Sequence, residues 1–337
     1  LLADRRKNGH TNGKTMTRAD FQTEKQTRVL VMGGLGFIGS HLSRLLVQED
    51  YRVRVFDKLY GSRHLISDIE NKIEIVEGDA EKNEDVLRAM DDVDVAVDLI
   101  HTTVPGASMM NASYDAQSNV VSHVGWLAQL KKTPLKKIIY ISSGGTVYGI
   151  PQRNLISEDH PTEPISSYGI TKLSIEKYVA MFARNQGIDY RICRPSNVYG
   201  EGQHLHLGQG AVGVFLEQGL KKQPIEIWGD GTIQRDYLYV VDMAQAIVRL
   251  MNYRGKERVF NISTGAGHSL NDILEIIRKN LNIAIEVQYL PSRAFDVPVN
   301  VLDNSRLRLA TDWIPQTDLA TGMRRVCHYL KDLLNIN

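Results

Sequence analysis

Hydrophobic positions from residue 27 onward recur in short β-branched runs, and longer amphipathic stretches separate these runs. Uninterrupted apolar runs are typical of parallel strands, which are buried on both faces, whereas apolar residues three and four positions apart indicate helices. Strands are predicted at 28–32, 52–56, 73–76, 93–99, 137–142 and 189–194, with helices at 40–48, 84–90, 119–131 and 168–185. The alternation predicts an α/β fold built on a doubly wound parallel sheet.

The pattern changes after Pro195, where the alternation loosens and a Gly-rich segment covers residues 200–213. Further helices are predicted at 214–222, 240–251 and 272–281, and further strands at 258–262 and 285–290. We therefore predict a main domain over 27–199 with returning segments at about 236–262. A smaller α/β lobe, expected to bind substrate, would comprise 200–235 and 263–337. The polar residues 1–26 are interpreted as a disordered leader or a remnant of cloning.

Composition narrows the classes of function. The 337 residues include 40 basic and 39 acidic side chains, so the formal charge of +1 provides no general attraction to nucleic acid or to an anionic membrane. No apolar run approaches the roughly 18–20 residues of a membrane span. Only two cysteines are present, which argues against a disulfide framework and favours the cytoplasm.

A glycine-rich turn follows the first predicted strand and opens a helix. The segment reads Gly33-Gly34-Leu35-Gly36-Phe37-Ile38-Gly39, and Asp57 closes the next strand. Glycines let backbone N–H groups approach a pyrophosphate at the helix N-terminus, and the distant carboxylate can accept hydrogen bonds from a ribose diol. The arrangement predicts a dinucleotide in a Rossmann-type fold. A carboxylate repels the 2′-phosphate of NADP, so NAD is favoured, although Lys58 and Arg54 could soften that repulsion.

Tyr168 and Lys172 lie four residues apart near the start of a predicted helix, which places both side chains on one face. A tyrosine titrates near 10 in model peptides, so it needs a nearby cation to act as a base at neutral pH. The ammonium of Lys172 is expected to stabilise the phenolate. The preceding segment, Ile141-Ser142-Ser143-Gly144-Gly145-Thr146-Val147-Tyr148-Gly149, ends the fifth strand and gives the pair its context.

Taken in order, these motifs resemble the extended short-chain dehydrogenases/reductases, closest in pattern to UDP-glucose 4-epimerases and related nucleotide-sugar epimerases. The resemblance runs from about Thr27 to the C-terminus. It implies cofactor contacts from Gly33, Gly36, Phe37, Ile38, Gly39, Asp57, Asp79, Ala80, Leu99, Asn119, Ser142, Tyr168, Lys172 and Pro195. It implies substrate contacts from Asn197, Arg235, Arg293, Asp296 and Asn300. No metal is expected, because His204 and His206 have no third ligand at a recognisable spacing.

The chain departs from this pattern in two places. Gly144 occupies the usual position of a third catalytic hydroxyl, so either Ser143 or Thr146 must bond the sugar oxygen. His101 replaces one of the small residues common after the fourth strand, and it either lines the sugar pocket or has a structural role.

The resemblance implies an NAD-dependent isomerase in which Tyr168 removes a proton from a sugar hydroxyl, expected to be that on C4. A transient 4-keto sugar then takes the hydride back on its other face. The expected substrate is a nucleotide sugar, a UDP-hexose or UDP-N-acetylhexosamine, although a lipid diphosphate is a second possible carrier. A homodimer is expected. The alternatives are a 4,6-dehydratase or UDP-glucuronate decarboxylase, a simple NAD-linked reductase, and a non-catalytic dinucleotide sensor.

Overall fold

The computed structural model describes residues 26–58, 62–205, 210–292 and 297–336. The predicted leader therefore lies outside the described residues except for Gln26. The strands are β1 (Arg28–Met32), β2 (Arg52–Asp57), β3 (Glu74–Glu77), β4 (Val95–Asp98), β5 (Lys137–Ile141), β6 (Asp189–Pro195), β7 (Asn197–Tyr199), β8 (Ile225–Trp228), β9 (Gln234–Tyr239), β10 (Val259–Ile262), β11 (Gly267–Ser269), β12 (Val287–Leu290) and β13 (Val299–Asn300).

The α-helices are α1 (Phe37–Gln48), α2 (Asn83–Ala89), α3 (Pro105–Met110), α4 (Ala112–Asp115), α5 (Ser122–Leu127), α6 (Ser167–Gln186), α7 (Ala211–Leu220), α8 (Val240–Asn252), α9 (Leu270–Glu275), α10 (Ser305–Thr311) and α11 (Leu319–Leu334). Two π-helical segments, Ala116–Val121 and Ile276–Asn280, continue α4 and α9. The predicted helix 119–131 therefore starts earlier and ends earlier than expected, since a π-helical turn joins α4 to α5.

The central sheet has seven strands in the order β10-β6-β5-β4-β1-β2-β3. All of its neighbouring strands pair in parallel. The six predicted strands are present, and β10, which follows the first part of the smaller lobe, becomes the seventh. This order is that of a doubly wound sheet, in which ligands bind at the carboxyl ends of the strands.

Alternate residues of each strand pack into two separate cores. On one face, Val29 and Val31 of β1 contact the apolar sides of α1 and α8. On the other face, Leu30 and Met32 belong to a core that includes residues of α2, α5 and α6. Because both faces are covered, the apolar runs of the strands are uninterrupted.

The smaller lobe contains a second sheet in which β9 pairs with β7, β11 and β13, and a separate pair formed by β8 and β12. A third core lies among β8, α7, α9 and α11, with residues such as Ile225, Leu216, Ile273 and Met323 fully buried. Because β7 follows directly after β6, the smaller sheet begins beside the carboxyl end of the central one. No helix in the described ranges has the length and apolar character needed to cross a membrane.

Candidate active site

Tyr168 and Lys172 lie on the first turns of α6, beside the carboxyl end of β5. The Ser166 hydroxyl caps this helix by accepting from the Gly169 N–H at 3.2 Å, and the Tyr168 N–H donates to Ser108 Oγ at 3.1 Å. Lys172 is almost fully buried, and its ammonium donates to the carbonyl of Ile141 at 2.8 Å. The two side chains line one cavity of about 460 Å³, as the four-residue spacing predicted.

Burial controls the protonation of this pair. Burial first, and the Asp115 carboxylate second, raise the pKa of Tyr168 to about 12. Burial lowers the pKa of Lys172 to about 8, although three nearby carboxylates act in the opposite direction. The expected lowering of the tyrosine pKa is not found, because burial and Asp115 both act to raise it, while the Lys172 ammonium lies 5.9 Å from the centroid of the Tyr168 ring. Additional positive charge in the cavity is needed to make Tyr168 an effective base.

Three hydroxyl residues from the segment after β5 line the same cavity, namely Ser142 and the two candidates for the third catalytic hydroxyl, Ser143 and Thr146. Thr146 Oγ1 is buried and has no hydrogen-bond partner among the described residues. A Cβ atom on Gly144 would collide with Leu302 and would lie 3.0 Å from the carbonyl oxygen of Arg194. Close packing around Gly144 therefore explains why this position has no side chain that could carry a hydroxyl group.

A buried network lies beneath this segment, and sequence reasoning missed it. Arg194 of β6 donates to both oxygens of the Glu176 carboxylate, at 2.9 and 2.6 Å, and Ser142 donates to the same carboxylate at 2.5 Å. Arg194 also donates to Tyr148 at 3.0 Å. Glu176 lies four residues after Lys172 on α6, and this spacing was the available signal.

The predicted dinucleotide site forms a second cavity of about 330 Å³, lined by Gly33, Gly36, Phe56, Asp57, Lys58, Gly78, Asp79, Ala80, Glu81, Leu99, Ile100, His101 and Thr102. Gly33 has φ +82°, and a Cβ on Gly39 would collide with the carbonyl of Gly33. Gly36 precedes α1 without a side-chain cap, so N–H groups of the first turn remain available to a phosphate. These residues fit a dinucleotide. Phe37, Ile38, Ser142 and Pro195 line the cavity that contains Tyr168 instead.

Asp57, the residue expected to favour NAD over NADP, is held in place by backbone N–H groups. Its carboxylate accepts from the Leu35 N–H at 2.9 Å and the Lys58 N–H at 2.8 Å, which fixes it beside the glycine turn. Arg54, expected to soften the repulsion of a 2′-phosphate, points away from the site. It is buried, donates to the carbonyls of Ala89 and Asp91, and pairs with Glu74. Alternate residues of β2 face opposite sides of the sheet, so Arg54 and Asp57 diverge.

Asn119 lines neither cavity, contrary to the expected cofactor contact. It is fully buried. Its side-chain oxygen Oδ1 accepts from the Thr102 N–H at 2.9 Å, and its side-chain Nδ2 donates to the Asp115 carboxylate at 3.0 Å. Asn119 therefore fixes the segment after β4. Asp115, which sequence reasoning missed, also accepts from the hydroxyl of Ser167, directly before Tyr168, at 2.7 Å. The four-residue spacing of Asp115 and Asn119 on one helix was its only signal.

The expected substrate residues divide between two places. Asn197 lines the cavity of Tyr168 and donates to the carbonyl of Asp236 at 3.2 Å. Arg235 and Asn300 pair in the smaller sheet, and neither lines that cavity. Arg235 donates to the carbonyl of Val297 at 2.7 Å, whereas Arg293 and Asp296 lie outside the described residues.

A larger cavity of about 780 Å³ lies beside these residues in the smaller lobe. It is lined by Gly229, Asp230, Thr232, Ile233, Tyr289, Leu290, Ser292 and Pro298. Gly229, Asp230, Thr232 and Ile233 of the predicted nucleotide-contacting segment 228–237 thus line the same surface as Pro298, which ends the second predicted segment.

The model of the NAD dependent epimerase/dehydratase family matches residues 29–263, which cover the glycine turn, the Tyr168 and Lys172 pair and both edges of the central sheet. The chain belongs to this family. Family membership, the Rossmann-type fold and the dependence on NAD are thereby confirmed as predicted. The epimerase/dehydratase family includes several reaction types, so the cavity must indicate which one applies.

Relatives in the epimerase/dehydratase family span almost the whole chain. A UDP-glucose 4-epimerase of Mycolicibacterium smegmatis is 32% identical over 309 residues, covering 90% of this chain and 99% of the relative. The crystal structure of a UDP-glucose 4-epimerase from Thermotoga maritima with UDP-glucose has a TM-score of 0.85 and 31% identity, covering 91% of this chain and 100% of that chain. The structure of a UDP-N-acetylglucosamine 4-epimerase from Methanobrevibacter ruminantium, in complex with UDP-N-acetylmuramic acid, has a TM-score of 0.85 and 27% identity. The match covers 92% of this chain and 99% of that chain. The expected epimerase class is supported by all three.

Proposed function

We propose that the protein interconverts the C4 epimers of a UDP-hexose or a UDP-N-acetylhexosamine with NAD as its bound cofactor. One observation distinguishes between the reactions that members of the family catalyse. The described side chains that line the cavity of Tyr168 supply hydroxyl, amide, imidazole and ammonium groups but no carboxylate, and the nearby Asp115 is fully buried behind the lining. Elimination of water from the sugar requires an acid at this place, so the cavity favours epimerisation over 4,6-dehydration.

Each polar group of the cavity has a part in this chemistry. The glycine turn and Asp57 would hold NAD, which would supply a reversible hydride acceptor for the sugar carbon and a positive charge that favours the tyrosinate. Tyr168 takes the proton of the C4 hydroxyl and gives it back after the keto sugar has turned. Lys172 stabilises the phenolate, and its own bond to the Ile141 carbonyl holds it beneath the tyrosine.

Of the two open candidates for the remaining hydroxyl, we favour Thr146. Its Oγ1 atom is buried without a partner among the described residues, so a sugar oxygen would satisfy it. Ser143 lines the same cavity and is the second candidate.

The proposed function is tested by incubating the purified protein with NAD and, separately, UDP-glucose, UDP-galactose and their N-acetylated counterparts. Chromatography should show each sugar converted to its C4 epimer, with no net change in the absorbance of NADH. A dehydrated keto product, or stoichiometric use of NADH, would instead identify a dehydratase or a reductase.

The cofactor assignment predicts a specific effect of Asp57→Ala. A hydrogen bond to a charged group contributes about 1.5–3 kcal/mol, so loss of the Asp57 carboxylate should weaken NAD binding by roughly 10- to 100-fold. NADP should lose less, because the repulsion of its 2′-phosphate is removed as well. Titration of cofactor-free protein with both cofactors measures the ratio.

Asp57→Asn is the matched control, because its amide oxygen can still accept from the Leu35 N–H while the charge is lost. This variant should narrow the preference for NAD with a smaller loss of NAD affinity. An NAD/NADP ratio that stays unchanged in both variants would contradict the role of Asp57.

We further propose that Asn300 lets the pocket accept an N-acetylated sugar. Its side chain is 3% exposed, and its Oδ1 atom has no partner among the described residues. An Asn leaves more room than a Tyr, and its unpartnered Oδ1 can accept from an acetamido N–H while its Nδ2 group donates to the acetamido carbonyl. Asn300→Tyr should therefore lower turnover of UDP-GlcNAc at least tenfold more than that of UDP-glucose.

Because a ring at a buried position can disturb folding, Asn300→Ala serves as the control with space but no donor. It should turn over both sugars. Equal losses of both activities in folded Asn300→Tyr, or a wild-type protein inactive on UDP-GlcNAc, would show that Asn300 does not control access.

The proposed homodimer is supported by apolar side chains on adjoining helices. Met110 is 90% exposed and Val121 52%, and on α6 Ile170, Tyr178 and Met181 are 53%, 36% and 42% exposed. Contiguous exposed apolar groups of this kind mark interaction surfaces. Sedimentation equilibrium should give twice the chain mass of 37.9 kDa; a mass of one chain would contradict the proposal.

A cytoplasmic location is proposed on the chemistry of the cysteines. Cys193 and Cys327 are both buried and unpaired. Free thiols of this kind are typical of proteins in a reducing compartment.

A further inference from the structure

His101 lies at the junction between the cofactor cavity and the cavity of Tyr168. Only Leu99 and His101 line both cavities, among the residues described. The His101 side chain is 6% exposed. Its ring meets the ring of Tyr168 edge to face, with centroids 4.5 Å apart and planes at 72°. A ligand that extends from the glycine turn to the catalytic tyrosine must therefore pass this imidazole.

Both ring nitrogens of His101 are buried without a hydrogen-bond partner in the described part of the chain. The nearest acidic group is Asp115, whose Oδ1 lies 3.6 Å from Nε2, beyond hydrogen-bonding distance. Buried polar atoms are nearly always satisfied in folded proteins, and an exception at a cavity wall indicates a partner that comes with a ligand.

Burial, together with nearby positive charge, keeps the His101 ring neutral. Burial first, then the positive charge of Lys172 and the neighbouring His123, lower the pKa of His101 far below its usual value. A neutral imidazole has one donor nitrogen and one acceptor nitrogen. We assign the N–H to Nε2, because a small movement of the ring would bring Nε2 within hydrogen-bonding distance of the Asp115 carboxylate. Nδ1 is then a buried acceptor with no donor.

We propose that His101 is a ligand-binding residue whose Nδ1 accepts a hydrogen bond from a hydroxyl group of the bound ligands at this junction. The donor is a ribose hydroxyl of the cofactor or a hydroxyl of the sugar, which share the same chemistry. Asp115 acts through His101 as a positioning residue, because its own carboxylate is fixed by Ser167 and Asn119. The proposal rests on the proposed function for the identity of the sugar but not for that of the cofactor.

Three variants separate the two ring nitrogens. The side-chain amide of His101→Asn reaches the position of Nδ1, that of His101→Gln reaches the position of Nε2, and His101→Phe keeps a ring against Tyr168 without either nitrogen. Dissociation constants are measured by calorimetry for NAD with cofactor-free protein, and for UDP-glucose and UDP with NAD-loaded protein. UDP lacks the sugar and is the matched control ligand.

His101→Phe and His101→Gln should weaken one ligand about tenfold, equivalent to about 1.4 kcal/mol, whereas His101→Asn should stay within about threefold of the wild type. A weaker affinity for NAD identifies the ribose hydroxyl as the partner of His101. A weaker affinity for UDP-glucose but not for UDP identifies the sugar hydroxyl as that partner. Unchanged affinities in His101→Phe, or equal losses in all three variants, would overturn the proposal.

Thermal unfolding without ligands distinguishes ligand binding from a merely structural role. His101→Phe should be at least as stable as the wild type, because it removes two buried nitrogens that lack partners. A destabilised Phe variant with normal affinities would assign His101 to structure alone. If the wild type does not bind UDP-glucose, the proposed function fails, and the NAD titration alone then decides the role of His101.

Discussion

Tyr168→Phe should reduce epimerisation by two or more orders of magnitude while the protein stays folded and binds NAD nearly as well as the wild type. The phenol oxygen is the only feature removed, and a general base contributes about 10²- to 10⁴-fold to rate. The ring itself remains available to contact His101 and to occupy the start of α6. Turnover of a UDP-sugar is measured by chromatography, and NAD binding by calorimetry.

The matched control is Tyr178→Phe, on the same helix, where the tyrosine is 36% exposed and outside the cavity. This variant should retain wild-type turnover. Near-normal turnover in a folded Tyr168→Phe protein would remove Tyr168 from the mechanism. Loss of NAD binding together with turnover would instead indicate that the phenol mainly holds the cofactor.

The second large effect is expected on stability, from Glu176→Gln. The substitution leaves the guanidinium of Arg194 buried, at 4% exposure, without its carboxylate. Although burial acts to lower the pKa of Arg194, the hydrogen bonds and charge of Glu176 outweigh it and raise that pKa. Breaking a buried pair from one side costs about 3–5 kcal/mol. The free energy of unfolding, measured in urea, should fall by about that amount.

Glu217→Gln is the matched control, since Glu217 pairs with Lys221 on the surface of α7 at 2.7 Å. An exposed pair four residues apart contributes only about 0.3–0.5 kcal/mol. If the two Glu→Gln variants lose the same small amount of stability, the charge of Glu176 is not what stabilises Arg194, and Tyr148 is the remaining partner. The cavity residue Ser142 should also lose its fixed position in Glu176→Gln, so turnover should fall with stability.

The features predicted from the sequence depend on neighbours along the chain. Apolar runs identified the strands of the central sheet, and the spacing of Tyr168 and Lys172 placed both groups in one cavity. The glycine turn and Asp57 also lie one βαβ unit apart, so their meeting follows from local structure.

What the sequence did not disclose depends on segments that meet only in the folded chain. The loss of the hydroxyl at Gly144 follows from Leu302, which arrives from the C-terminal lobe. The orientation of Arg54 depends on carbonyls at the end of α2, and the partners of Asp115 come from α6 and from the segment after β4. Such contacts have no periodicity in the sequence, so spacing rules cannot reveal them.

The return of the chain to the central sheet affects how the protein is made. During synthesis, β6 emerges with one edge unpaired, and the partner that covers it, β10, follows only after β7, α7, β8, β9 and α8. At about 5–20 residues per second, the ribosome needs roughly 3–13 s to add the intervening segment. An open parallel edge is a template for pairing with another chain. The nascent protein is therefore most exposed to aggregation, and most dependent on chaperones, in the interval before Val259–Ile262 appears.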